Sequence, residues 1–167
     1  EDIQVKDLYH FGTAAKILKK INLPDGGINV LINSIKRFAI RNVISERPHI
    51  ISEVEYLDDE TSKKNMELKA LTRAVLSQLK LLSENNPLFT EEMKLTMVNV
   101  EEPGKIADFV TSILNLEKRE YQDVLETINV KKRLGTVLRL LHKEMEVLNV
   151  QKRIQNQINE KIDKQQR

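Results

Sequence analysis

Side chains capable of chemistry are present, but they are scattered. His10, His49 and His142 fall on three separate stretches, and only His142 has an acidic residue one helical turn away, Glu146. Such a pair is usually a solvated surface contact rather than half a metal site. No H-E-x-x-H spacing occurs. The chain has no cysteine, which excludes thiolate metal sites and disulfides and suits a reducing compartment. "PGKIAD" sets Gly104-Lys105 at a helix start, where backbone N–H groups can attract an anion. A phosphate loop needs an earlier glycine and a Ser or Thr after the lysine, and both are missing. The seven serines sit in no nucleophile elbow and no Ser-Lys motif. The carboxylate pairs Asp58-Asp59 and Glu101-Glu102 lie in polar runs, whereas a general-acid pair needs burial to separate its pKa values. These residues point to no catalytic, metal or cofactor site in this chain.

The elements that would position any site change character partway along. "GTAAKILKKINL", "PDGG" and "INVLIN" read as a β-hairpin. Pro24 fixes φ, Asp25 can bond its own backbone, and Gly26-Gly27 accept positive φ. Ile28, Val30 and Ile32 alternate onto one face. "KRFAIRNVIS" places Phe38, Ile40 and Ile44 together, with Asn42 breaking the pattern, and "HIISEVEYL" alternates again. The count is about four strands in about 58 residues, too few to close a small barrel; further strands are expected before Glu1.

After "DDETSKKN" the period becomes that of a helix. Leu68, Leu71, Val75, Leu79 and Leu82 form one stripe. Thr90 is a suitable N-cap for "EEMKLTMVNV", with Met93, Met97 and Val100 inward. Pro103 opens the next helix, where Ile106, Phe109, Val110 and Ile113 face inward. Tyr121, Val124, Leu125 and Ile128 serve another. Asn129 caps the last, which runs from about 130 to the end. Leu134, Val137, Leu138, Leu141, Met145 and Leu148 give its first half a broad apolar face. Gly135 is a poor helix former, so close packing is expected there. The second half keeps only Ile154, Ile158 and Ile162. At ~1.5 Å per residue that helix would run on the order of 57 Å, longer than a small bundle can cover.

The fold class is α+β: a small β-sheet or partial barrel, then an α-helical bundle ending in a long protruding helix. The domain limits are 1–60, 61–148 and an extension over 149–167. Charge follows the same division. Residues 1–45 carry seven basic against four acidic side chains, 46–126 ten against seventeen, and 127–167 ten against four, within a net charge of +2. The basic end suits solvent or an acidic partner. A nucleic-acid-binding module is the alternative reading, with DNA a secondary partner, but aromatic content is only 4% with no Trp, so stacking platforms are scarce. No apolar run reaches the ~18 residues of a membrane span.

At "NVEEPGKIADFV" the sequence resembles the N-terminal region of the Lon family of ATP-dependent proteases. Asn99, Glu102, Pro103, Gly104, Ala107 and Asp108 match a motif of that family's helical domain. Gln122, Leu125, Glu126, Arg133 and Leu134 follow its Gln-x-x-Leu-Glu and Arg-Leu spacing. "GTAAKI", "LPDGGINVLI", "KRFAIRNVIS" and "HIISEVEYL" resemble its β-rich N-terminal domain, and "KIDKQQR" resembles the start of its long coiled-coil helix. The resemblance implies a PUA-like β-domain and a bacterial, cytoplasmic parent: a homohexameric serine protease with an AAA+ ATPase using ATP and magnesium. This chain would carry neither reaction and no cofactor. Its implied role is to recognise unfolded, misfolded or regulatory protein substrates and to aid hexamer assembly. The candidate substrate contacts are exposed apolar residues of the β-domain together with Leu88, Phe89 and Met93. The assembly candidates are Ile154, Ile158 and Ile162.

Overall fold

The computed structural model describes residues 3–61, 66–85, 89–90, 95 and 100–165. The chain divides into two compact units, Glu1–Asp59 and Glu60–Arg167.

The first unit opens with a single 3-10 turn, Val5–Asp7, and continues as an antiparallel sheet of order β1-β2-β3. Its strands are β1 (Phe11–Asn22), β2 (Ile28–Ser45) and β3 (Ile51–Leu57). Three strands stand where the residue pattern predicts four, because "INVLIN" and "KRFAIRNVIS" are one strand of 18 residues. The break between them, at Ser34-Ile35, is a register shift. Ala14 pairs with Lys36 and Ala15 with Ser34, so Ile35 is the extra residue of a bulge. The strand crosses its charged step because Lys36 pairs with Asp58 at 2.6 Å and Arg37 with Asp59 at 3.6 Å. Asn42, the other irregularity, donates its Nδ2 to Glu53 Oε2 at 2.8 Å beside a second shift, between Ile40 and Asn42.

The β1–β2 turn forms as its residues dictate. Gly26 takes φ +84°, and Asp25 Oδ1 accepts the Gly27 N–H at 3.0 Å. At the other end of the hairpin the Phe38 ring lies over Gly12, directly opposite; a Cβ at Gly12 would come within 2.6 Å of that ring. A side chain there would force the Phe38 ring to shift, so glycine is favoured by contact and not by φ.

The second unit is helical: α1 (Met66–Asn85), α2 (Pro103–Ile113), α3 (Lys118–Glu126) and α4 (Val130–Gln165). The helix expected after Thr90, with Met93 and Met97, lies outside the described residues except for isolated positions. The predicted apolar stripes converge on one core. Val75, Leu79 and Leu82 of α1, Val110 of α2, Val124 of α3 and Leu134, Val137 and Leu141 of α4 are all buried. Asn129 caps α4 as expected, its Oδ1 accepting the Lys132 N–H at 3.0 Å. Glu60 is hydrogen-bonded into the same place: its N–H donates to Ile128 O at 3.2 Å, and its carbonyl accepts from Val130 N at 3.1 Å.

The close packing expected at Gly135 is absent. A Cβ there meets nothing within 4 Å. The residue costs helix propensity with no packing gain among the described residues.

Glu120 joins α3 to α4. One carboxylate oxygen accepts from Lys143 Nζ at 2.7 Å and the other from the Glu117 N–H at 3.1 Å. The Lys143 ammonium, then that backbone N–H, hold the Glu120 carboxyl below its ordinary pKa.

Arg133 is the only charged side chain among the buried described residues, with zero exposure. Its Nε donates to Thr127 O at 2.7 Å, one terminal nitrogen to Ile128 O at 3.3 Å, and the other lies 3.4 Å from Asp108 Oδ1.

Four outcomes are expected. Arg133→Ala removes the shared donor of two carbonyls and leaves a void, at a cost of about 3–5 kcal/mol in chemical denaturation. Asp108→Asn, at a carboxylate still 38% exposed, should cost about 1 kcal/mol. Gly135→Ala should raise stability by about 0.5–1 kcal/mol, read as a higher Tm. The Glu120 contribution is complete above the carboxyl's ordinary value of 4.5 and is lost as pH falls through its lower folded value. The stability difference between the native chain and Glu120→Gln should therefore close on acidification through that window.

Candidate functional site

Residues that could have been catalytic are engaged in structure. Lys105, of the Gly-Lys pair, is paired with Glu102 at 2.6 Å. Asp58 and Asp59 neutralise Lys36 and Arg37. His10 stacks edge-on against Phe11 with centroids 5.2 Å apart, while His142 and Glu146 are exposed. Among the described residues no cluster of His, Cys, Asp and Glu could hold a metal, and no helix is long and apolar enough to cross a membrane.

What the first unit does offer, among the described residues, is an exposed apolar surface. β3 pairs only with Arg37–Ser45 of β2. Beyond that point, from Ala15 to Ser34, β1 and β2 form a two-stranded ribbon on their own. Directly paired residues share a face of a sheet. Ile17 pairs with Ile32, Lys20 with Val30 and Asn22 with Ile28, which assigns four aliphatic residues to one face. Their exposures are 56% for Ile17, 60% for Ile28, 43% for Val30 and 53% for Ile32. The opposite face takes the pairs Lys16–Asn33, Lys19–Leu31 and Ile21–Asn29. An isolated two-stranded ribbon is at best marginally stable in water, and this one leaves aliphatic side chains of one face in contact with solvent.

The alternation of Ile28, Val30 and Ile32 was legible in the sequence. The contribution of β1 was not, because "KILKKI" has no simple period. The register slips between Ile17 and Lys19, leaving Leu18 as an extra residue and bringing Ile17 opposite Ile32. Only the pairing reveals that alignment.

The named substrate-contact candidates fare differently. Leu88 and Met93 lie outside the described residues. Phe89 is 8% exposed and belongs to the helical core, so an exposed contact at that position is corrected to a packing role. Ile154, Ile158 and Ile162 are 51%, 45% and 47% exposed on α4, where every side chain from Gln151 to Ile162 faces solvent. The ribbon and this stripe are in separate units.

The motif residues of the helical unit do come together. Pro103 starts α2, Gly104 and Ala107 are buried, and Asp108 meets Arg133. Gln122 is buried and donates to Glu126 Oε1 at 2.9 Å, and Leu134 is fully buried. Asn99 is outside the described residues. These are packing and capping roles.

Comparison with known proteins agrees with this arrangement. The family model described as the ATP-dependent protease La (LON) substrate-binding domain matches residues 1–143. A Lon protease of Treponema pallidum is 48% identical over 163 residues, covering 98% of this chain and 18% of the relative. One from Leptospira interrogans is 51% identical over 162 residues, covering 97% of this chain and 19% of the relative. The chain thus spans about one fifth of the curated relatives it matches. Among solved structures, the N-terminal domain of Mycobacterium avium complex Lon protease superposes with a TM-score of 0.69 at 22% identity, covering 83% of this chain and 74% of that one, a likeness of fold. The Lon N-terminal domain protein of Xanthomonas campestris gives 0.54 at 16% identity, with 82% and 71% covered. The chain therefore belongs to the substrate-binding domain family of the ATP-dependent protease La (LON) and corresponds to the N-terminal region of a bacterial Lon protease.

Proposed function

We propose that this domain captures unfolded or misfolded polypeptides, and regulatory proteins with exposed apolar segments, through the aliphatic face of the β1–β2 ribbon. The observation that carries the reading is that face itself: Ile17, Ile28, Val30 and Ile32, paired across two strands and uncovered. An unfolded chain presents aliphatic side chains that a folded one hides, so a surface of this chemistry discriminates by folding state. A single ribbon binds weakly. Several copies around a ring would raise the effective affinity without new contacts. We therefore propose that the parent is a cytoplasmic homohexamer, with ATP hydrolysis and Ser-Lys peptide cleavage outside this chain. Ile154, Ile158 and Ile162 are the proposed contacts to neighbouring subunits. Leu88 and Met93 remain secondary candidates for substrate contact.

The test is binding of a reduced, alkylated, permanently unfolded polypeptide, followed by fluorescence anisotropy. Val30→Glu and Ile32→Glu are expected to weaken binding at least tenfold. Both positions are exposed, so thermal stability should change by no more than about 0.5 kcal/mol. Undiminished binding by both folded variants would overturn the ribbon as the capture site.

A further inference from the structure

The connection between the two units has no free residue in it. Asp59, the last residue of the first unit, is paired with Arg37 of β2 at 3.6 Å. Glu60, the first residue of the second, is already tied to the start of α4. Its N–H donates to Ile128 O at 3.2 Å and its carbonyl accepts from Val130 N at 3.1 Å, in a parallel bridge with Asn129. Val130 opens α4, and the first N–H groups of a helix have no acceptor within it. The Glu60 carbonyl supplies one from a distant part of the sequence. Glu60 and Thr61 are both exposed, so hydrogen bonds rather than burial hold this stretch in place. The Ile128 carbonyl carries a second bond. Arg133 Nη2 donates to the same oxygen at 3.3 Å, while its Nε donates to Thr127 O at 2.7 Å. A carbonyl has two lone pairs and can serve both donors. The buried guanidinium thereby fixes the direction of the carbonyl that Glu60 meets.

We infer that Glu60 is a strap across the start of α4, that it opens and closes while the helical core stays folded, and that Arg133 is the positioning residue that holds it shut. Closed, the strap leaves no slack in the connection between the units; open, it adds free chain there. An ordinary hydrogen bond contributes only modestly to stability once exchange with water is counted. An exposed residue held by two of them therefore opens far more often than a core that must unfold as a whole. Arg133 acts on the strap through the Ile128 carbonyl. Its fork addresses Thr127 O and Ile128 O together, whereas a lysine ammonium offers a single point of charge.

Amide hydrogen exchange of the 167-residue protein, resolved by residue with NMR, tests the inference. The Glu60 and Val130 N–H groups should exchange at least about 100-fold faster than those of Val110 and Val137 in the core, at rates insensitive to low urea. Glu60→Pro deletes the N–H that meets Ile128, at a position whose side chain is exposed. It should speed Val130 exchange about tenfold, leave Val110 and Val137 unchanged, and shift the Arg133 guanidinium resonances through the shared carbonyl. Arg133→Lys should speed Val130 exchange about tenfold relative to Val137 in the native chain. In the Glu60→Pro chain it should add nothing to that ratio, because the strap is already open. Effects of the two substitutions that simply multiply would overturn the role of Arg133. Unmoved Arg133 resonances in Glu60→Pro would overturn it too, a result that needs no change at Arg133 should Arg133→Lys fail to fold. Glu60 and Val130 amides that exchange no faster than the core would overturn the strap itself.

Discussion

The helical unit depends on one buried cation. Arg133 sits in the first turns of α4 with no exposure, yet its side chain reaches the carbonyls of Thr127 and Ile128 and the carboxylate of Asp108. Those carbonyls follow α3, and Asp108 belongs to α2. One planar side chain therefore fixes the exit of α3, the start of α4 and a turn of α2. A lysine could supply the charge but not the fork that addresses divergent acceptors. Burying a guanidinium is costly, and its hydrogen bonds offset that cost only when they are made together. No buried side-chain nitrogen or oxygen among the described residues lacks a partner. The aliphatic stripes of α1, α2 and α4 supply the cohesion, and Arg133 ties the polar ends of three helices together within it.

Much of this was readable from residue order, since helical periodicity is local. The α1 stripe from Leu68 to Leu82, the proline start of α2 and the Asn129 cap are each set by residues within a few positions of one another. The failures have a common cause, in that they depend on residues far apart in the chain. "INVLIN" and "KRFAIRNVIS" looked like two strands until their pairing with β1 showed one strand with Ile35 as a bulge. Phe89 stood among the candidate substrate contacts, and its burial is made by helices distant from it in sequence. Gly135 suggested a close helix contact, but a glycine shows only that a side chain is missing, not that something fills the space. The ribbon is the subtler case. Alternating Ile28, Val30 and Ile32 show that one face is apolar; they are silent on whether anything covers it.

The two units divide the physical work. The helices bury a continuous apolar core and a satisfied polar network. The ribbon keeps aliphatic side chains exposed on strands that only one neighbour supports. A two-stranded segment of this kind has little tertiary packing to stabilise it. The same weakness makes it prone to unwanted pairing, and unpaired lysines along an edge are a common defence against self-association.

The bridge at Glu60 has a mechanical meaning. The polypeptide leaving Asp59 is held at once by two backbone hydrogen bonds, to Ile128 and from Val130, in a parallel pairing with Asn129. Tension drawn along the chain from the sheet unit would load both bonds together in shear. It would reach the first turn of α4 before it reached α1, although α1 is nearer in sequence.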